Sequence, residues 1–246
     1  LNDHYNGTNI NENCGSTHIK SLAKYVVNNN FDCGIAYDGD ADRCLMVDSN
    51  GEIKDGDYLL AILALDMKEK GTLKNNTVVG TVMSNLGFIN FCHNNNINFI
   101  STKVGDRYVL EEMLLMNYVL GGEQSGHIIF KEFANTGDGE LTSIKILEIM
   151  KKSNKSLKEL SSVMEKYPQV LINVNITNEK KNDFYNDDNI AKKQEEITNI
   201  LGENGRVLVR PSGTEALIRV MVEGKDNKLI EKCATELAKC IEDNLM

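Results

Sequence analysis

Three carboxylates alternate through one short stretch, Tyr37-Asp38-Gly39-Asp40-Ala41-Asp42-Arg43, set between the apolar runs Cys33 to Tyr37 and Cys44 to Val47. Two like charges about 4 Å apart repel by about 4 kcal/mol at an effective dielectric of roughly 20, so this trio calls for a cation. Gly39 and Ala41 add no bulk between the acids, and the loop can curl to aim all three at one point. Hard oxygen donors of this kind suit Mg²⁺, which keeps octahedral geometry, retains waters and takes a phosphate oxygen as a further ligand. Arg43 adds a forked donor matched to phosphate. The stretch reads as a metal-assisted phosphate site with Asp38, Asp40 and Asp42 as ligands.

Three other readings compete. A turn rich in Asp and Gly occurs between strands without any metal. A calcium EF-hand shares the Asp spacing but needs Gly where Arg43 stands, Glu where Ser49 stands, and helices on both flanks; it is excluded. A phosphatase of the haloacid dehalogenase type would use Asp38 as nucleophile, although Asp42 occupies a position where that class carries Thr or Val.

Three further loops carry chemistry. Gly121-Gly122-Glu123-Gln124-Ser125-Gly126-His127 combines a carboxylate and a hydroxyl, which match sugar hydroxyls, with an imidazole able to donate to phosphate or shuttle a proton. Arg210-Pro211-Ser212-Gly213-Thr214-Glu215, followed by Arg219, offers guanidinium, hydroxyl and backbone donors to a phosphate dianion. Pro211 restrains that loop and lowers the entropy lost on binding. Lys103-Val104-Gly105-Asp106-Arg107 places two cations for an anion, while Asp106 doubles as a candidate helix cap. Thr136-Gly137-Asp138-Gly139 reads as a loop into a helix capped by Asp138.

The elements that must hold these loops alternate. Helical patterns cover Ile19 to Asn28, a stretch from Asp57 as cap to Gly71, Leu86 to His93, Asp106 to Met116, Glu140 to Lys151 and Ser156 to Glu165. Strand patterns cover Cys33 to Tyr37, Leu45 to Asp48, Thr77 to Val82, Ile97 to Ser101 and Tyr118 to Leu120. This order predicts layered α/β structure with largely parallel strands. Pro168 marks a boundary near Lys166 to Gln169. Beyond it, a strand from Val170 to Ile176, strands Arg206 to Val209 and Ala216 to Val222, and helices ending near Leu201 and Leu245 predict a smaller α+β domain. The Asn/Lys-rich segments read as compositional bias in loops.

The composition, 41% hydrophobic and 26% charged over 246 residues, is that of a globular protein with room for two or three domains. A net charge of -9 without a basic cluster argues against nucleic acid. No apolar run nears the ~18 residues that span a bilayer, so no membrane partner is expected. No signal peptide is evident, although the chain opens at Leu1. Six cysteines form no Cys-x-x-Cys pair and no cluster with His, which fits a reducing cytoplasm.

In their order along the chain, the metal loop, the Gly122 to His127 loop and the Arg210 to Glu215 loop resemble the α-D-phosphohexomutase superfamily. The run Asn9 to His18 and Gln124 lean toward its glucosamine branch rather than its phosphomannomutase/phosphoglucomutase branch. The resemblance implies a four-domain, heart-shaped protein with a central cleft. The chain would hold part of one three-layer α/β domain (1–50, with the metal loop), one complete such domain (51–167, with the sugar loop) and a smaller α+β domain (168–246, with the phosphate loop). The family's phosphoserine loop, of Ser-x-Ser-His-Asn-Pro type, has no match; Ser16-Thr17-His18 lacks the continuation. A missing N-terminal region is therefore an implied partner, and the chain alone is expected to be inactive or a binding remnant.

The same resemblance implies Mg²⁺ on Asp38, Asp40 and Asp42, with Arg43 stabilising the transferring phosphoryl group. Lys103 and His127 are the candidates for general acid or base. Arg107, Glu123, Ser125 and His127, with Arg210, Ser212, Gly213, Thr214 and Arg219, would bind a hexosamine phosphate. Interconversion of glucosamine 6-phosphate and glucosamine 1-phosphate, feeding UDP-N-acetylglucosamine and peptidoglycan, is the implied activity. The sequence leaves a homo-oligomer open.

Overall fold

Residues 38–43 are too few for a crossover, so the two apolar runs they join must pair antiparallel. The computed structural model, which describes residues 6–177, 179–213 and 215–245, has this hairpin. Strand β1 (Cys33–Tyr37) pairs antiparallel with β2 (Cys44–Asp48), Tyr37 opposite Cys44, and β2 pairs antiparallel with β3 (Ile53–Lys54). The acidic stretch is thus the loop of a hairpin. Helix α1 (Lys20–Asn28) covers one face of this sheet through Ile19, Val26, Ala36 and Val47, while Cys44 and Met46 face the larger core.

The second sheet has the order β5-β4-β6-β7. Strand β4 (Thr77–Thr81) pairs parallel with both β5 (Asn98–Thr102) and β6 (Leu120–Gly122); β7 (Ile128–Phe130) returns antiparallel on β6. Alternate residues serve opposite faces. Val78, Leu120, Ile128 and Phe130 meet helices α2 (Gly56–Glu69), α3 (Leu86–Asn94), α5 (Gly139–Ser153) and α6 (Leu157–Ser161). Val79 and Ile129 meet α4 (Asp106–Met116) on the other side, giving three layers. The expectation of largely parallel strands is corrected: only the β4–β5 and β4–β6 pairings are parallel among the described residues, and the other strand pairs are antiparallel.

Two cap assignments also change. Asp55, not Asp57, caps α2 by accepting from Tyr58 N, and the helix begins two residues earlier than Asp57 implied. Asp57 is fully buried and accepts the Asn85 N–H at 2.7 Å, fixing the start of α3. Gly105 rather than Asp106 occupies the cap of α4. Asp138 does cap α5, accepting from Leu141 N at 2.8 Å.

The chain divides into two compact units, Leu1–Glu165 and Lys166–Met246. In the second, β8 (Gln169–Asn175), β10 (Leu217–Gly224) and β9 (Gly205–Pro211) form an antiparallel sheet with β10 in the centre. Helices α7 (Asp188–Leu201) and α8 (Asn227–Leu245) bury Ile190, Ile197, Ala234, Leu237 and Ile241 against Val174, Val220 and Val222. No helix among the described residues is long and apolar enough to cross a membrane.

Candidate metal and phosphate sites

The hairpin loop closes with a turn in which Ala41 N donates to the Asp38 carbonyl, and Ala41 takes a left-handed φ of 58°. That conformation bends the chain so that Asp38, Asp40 and Asp42 each present a carboxylate oxygen within 4.8 Å of the others. Asp38 Oδ1 accepts the Arg43 N–H at 3.1 Å, which pins the first acid to the end of its own loop. The Arg43 Nε lies 3.7 Å from Asp38 and 3.9 Å from Asp42, so one guanidinium faces two of the three clustered acids. Burial, then the adjacent Asp38 carboxylate, push the Asp42 pKa up.

Negative charge is in surplus here. Among the described residues the buried Asp42 Oδ1 has no hydrogen-bond partner, an orphan that a divalent cation would satisfy. The donor set of three carboxylates fits Mg²⁺.

Neighbouring loops grip this hairpin by main-chain contact. Cys44 N donates to the Gly126 carbonyl, and Arg43 bridges His127 in antiparallel fashion. Gly56 N, at the start of α2, donates to the Gln124 carbonyl, and Gly139 N, at the start of α5, donates to Ala41. A β-carbon on Gly137 would sit 2.6 Å from the His127 ring and 2.7 Å from the Asp42 carbonyl, so only glycine fits. The 38–43, 122–127 and 136–139 loops therefore form one packed body.

His127 is 3% exposed and both ring nitrogens are engaged. Gly137 N donates to Nε2 at 2.9 Å, which leaves Nδ1 to donate to Asp42 Oδ2 at 3.0 Å. In this arrangement the ring holds Asp42 from one nitrogen and the Gly137 main chain from the other. Its burial under Gly137 was hidden because neither loop reveals the other in sequence.

Glu123 is half-buried and accepts the Gly105 N–H at 3.0 Å, joining the 122–127 loop to the 103–107 loop. Ser125 is exposed at the tip. Lys103 is exposed, with its ammonium 5.9 Å from the Tyr108 ring. Arg107 lies along its own helix, donating to Glu111 at 2.7 Å in solvent, and is not brought to the acidic loop. The phosphatase reading weakens: the Asp38 side chain, 7% exposed and tied to Arg43, is poorly placed to attack a substrate.

In the second unit, Arg210 on β9 stands directly opposite Arg219 on β10. Like charges opposed across a ladder are unfavourable; burial and Arg219 together lower the Arg210 pKa. Arg219 donates to Glu215 at 2.6 Å, but Arg210 has no ion-pair partner among the described residues. Buried Ser212 accepts the Glu215 N–H at 3.2 Å and shapes the turn. Gly213 is exposed, with open space around it. Thr214 lies outside the described residues. Lys181 went unnoticed in sequence; it donates to the Ser212 carbonyl at 2.8 Å.

The model for phosphoglucomutase/phosphomannomutase alpha/beta/alpha domain III matches residues 55–167, and that for the C-terminal domain matches residues 171–240. The phosphoglucosamine mutase of Acetivibrio thermocellus is 53% identical over 245 residues, which is 100% of this chain and 55% of that protein. That of Clostridium beijerinckii is 52% identical over 242 residues, covering 98% of this chain and 54% of its own length. The chain thus spans about half the length of these relatives. An Aspergillus fumigatus N-acetylphosphoglucosamine mutase in complex with GlcNAc-6P and magnesium superposes with a TM-score of 0.74 at 18% identity, covering 96% of this chain and 54% of the other. An N-acetylglucosamine-phosphate mutase of the α-D-phosphohexomutase superfamily, in its product complex, gives a TM-score of 0.72 at 19% identity over 94% of this chain and 53% of the other. The chain belongs to the phosphoglucomutase/phosphomannomutase family, whose domain III and C-terminal domain it carries.

Proposed function

We propose that this chain is the metal-, sugar- and phosphate-binding portion of a phosphoglucosamine mutase, which interconverts glucosamine 6-phosphate and glucosamine 1-phosphate through a phosphoserine and a bisphosphorylated sugar. The convergence of Asp38, Asp40 and Asp42 carries this reading, in a chain over half identical to proteins of that name. Residues 1–50 would complete an earlier α/β domain, 51–167 form the next, and 168–246 the phosphate-binding domain. The product would supply UDP-N-acetylglucosamine and peptidoglycan synthesis in the cytoplasm.

Asp38, Asp40 and Asp42 would hold Mg²⁺, with His127 fixing the angle of Asp42. When bound, the ion would offset charge on the phosphoryl oxygens during in-line transfer. Arg43 stabilises the same charge from the protein side. Glu123, freed from Gly105, and Ser125 accept and donate to sugar hydroxyls. Lys103, exposed and unpaired by any carboxylate among the described residues, is left as the candidate general acid or base. Arg210, Ser212, Gly213, Thr214 and Arg219 take the phosphate that is not reacting. Arg107 contributes long-range attraction to the dianion.

The nucleophile would come from an N-terminal region of the same enzyme, in a loop of the Ser-x-Ser-His-Asn-Pro type. By itself the chain would bind ligands without turnover. Phosphorus NMR of the full-length protein with glucosamine 6-phosphate tests the reading. Conversion to the 1-phosphate is expected, faster than with mannose or glucose phosphates. A preference for either neutral hexose would transfer the assignment to the phosphomannomutase/phosphoglucomutase branch.

A further inference from the structure

Lys181 sits in a single turn, Glu179–Lys181, within the Asn/Lys-rich stretch that composition alone assigns to a featureless loop. Its ammonium nevertheless crosses 31 residues of sequence to donate to the Ser212 carbonyl at 2.8 Å, and its side chain is half-buried. The partner is neutral, so the charge of Lys181 is held in place but not cancelled. No carboxylate pairs with it among the described residues, whereas Lys193 in the same unit pairs with both Glu196 and Glu236. An ammonium has three N–H donors, and the Ser212 carbonyl takes one.

Cations outnumber carboxylates around this latch. Arg210 and Arg219 face each other across the ladder, and Glu215 is the one carboxylate ion-paired there among the described residues. With Lys181 included, three cations stand against one acid, a surplus that matches a phosphate dianion. The Gly213 side of the turn is open for it.

We infer that Lys181 is a further phosphate-binding residue, latched to the Ser212 carbonyl so that its remaining N–H groups meet the phosphate at the Arg210–Glu215 loop. This rests on the reading of that loop as a phosphate cradle. The latch also explains why a flexible lysine would be effective: its position is set before the ligand arrives, so less side-chain entropy is lost on binding.

Calorimetric titration of the 246-residue chain with inorganic phosphate separates the charge from the latch. Lys181→Gln keeps an N–H for the Ser212 carbonyl but removes the charge, and is expected to weaken phosphate binding about tenfold with an unchanged melting temperature. Lys181→Arg is expected to restore affinity to within about threefold of the parent chain. Arg210→Gln serves as the reference for the cradle itself. If Arg210→Gln weakens binding and Lys181→Gln does not, the role of Lys181 is overturned while the cradle stands. If neither variant changes affinity, or the parent chain takes up no phosphate, the cradle and the role of Lys181 fall together.

Discussion

The imidazole of His127 donates from Nδ1 to Asp42 Oδ2 at 3.0 Å while its Nε2 accepts the Gly137 N–H at 2.9 Å. A side chain from the 122–127 loop thereby orients an acid of the 38–43 loop. Hydrogen bonds that orient ligands in this way contribute about 10- to 100-fold in metal affinity. His127→Ala should lower Mg²⁺ affinity by that order while leaving the fold intact, read by calorimetric titration. Unchanged affinity would show that the contact does not orient Asp42.

Gly137 makes that contact possible. Its added β-carbon would strike the His127 ring and the Asp42 carbonyl, neither of which can swing aside. Gly137→Ala is expected to cost about 2–3 kcal/mol in urea denaturation. Gly71 is a useful contrast: it has a φ of 70° but nothing within 4 Å of an added β-carbon. Gly71→Ala should cost only about 1 kcal/mol, from backbone strain alone.

The acidic trio makes the metal-free protein sensitive to pH. Burial and Asp38 raise the Asp42 pKa, so the folded state holds its proton more tightly than the unfolded chain does. That contribution is fully present below the unfolded carboxylate pKa and is lost as pH rises through the folded value. With chelator present, thermal melts should show this loss across the carboxylate range, and Asp42→Asn should flatten it. An unchanged slope in the variant would exclude Asp42 as its source.

Cys44 and Cys92 respond at the alkaline end. Burial pushes both thiols up to about 12 from 9.0, so the unfolded chain ionises first. Stability should therefore fall as pH rises from 9 toward 12. At pH 8, iodoacetamide should label the half-buried Cys14 well before either of these. Equal labelling rates would mean that β2 and α3 open far more readily than their packing implies.

Much of this architecture was legible in the sequence where local signals suffice. The Asp-x-Asp-x-Asp spacing located the acidic cluster, and Asp138 announced the start of α5, because both depend on residues a few positions apart. Sheet direction was less legible. The βα alternation suggested parallel pairing, but the 38–43 loop forces a hairpin and β7 folds straight back on β6. The fate of His127 and the reach of Lys181 depend on contacts 10 and 31 residues away, with Gly137 and Ser212 respectively. No periodicity or cap signal encodes such meetings.

The central claim is that Asp38, Asp40 and Asp42 gather one divalent cation. Titration of Mg²⁺ into the chelator-treated 246-residue chain tests it most directly, with Asp40→Asn alongside because that side chain is exposed and its loss leaves the core untouched. A single saturable site in the parent chain, lost or weakened at least about tenfold in Asp40→Asn, is the predicted result. Absence of Mg²⁺ uptake by the parent chain, or equal uptake by both, would contradict the account.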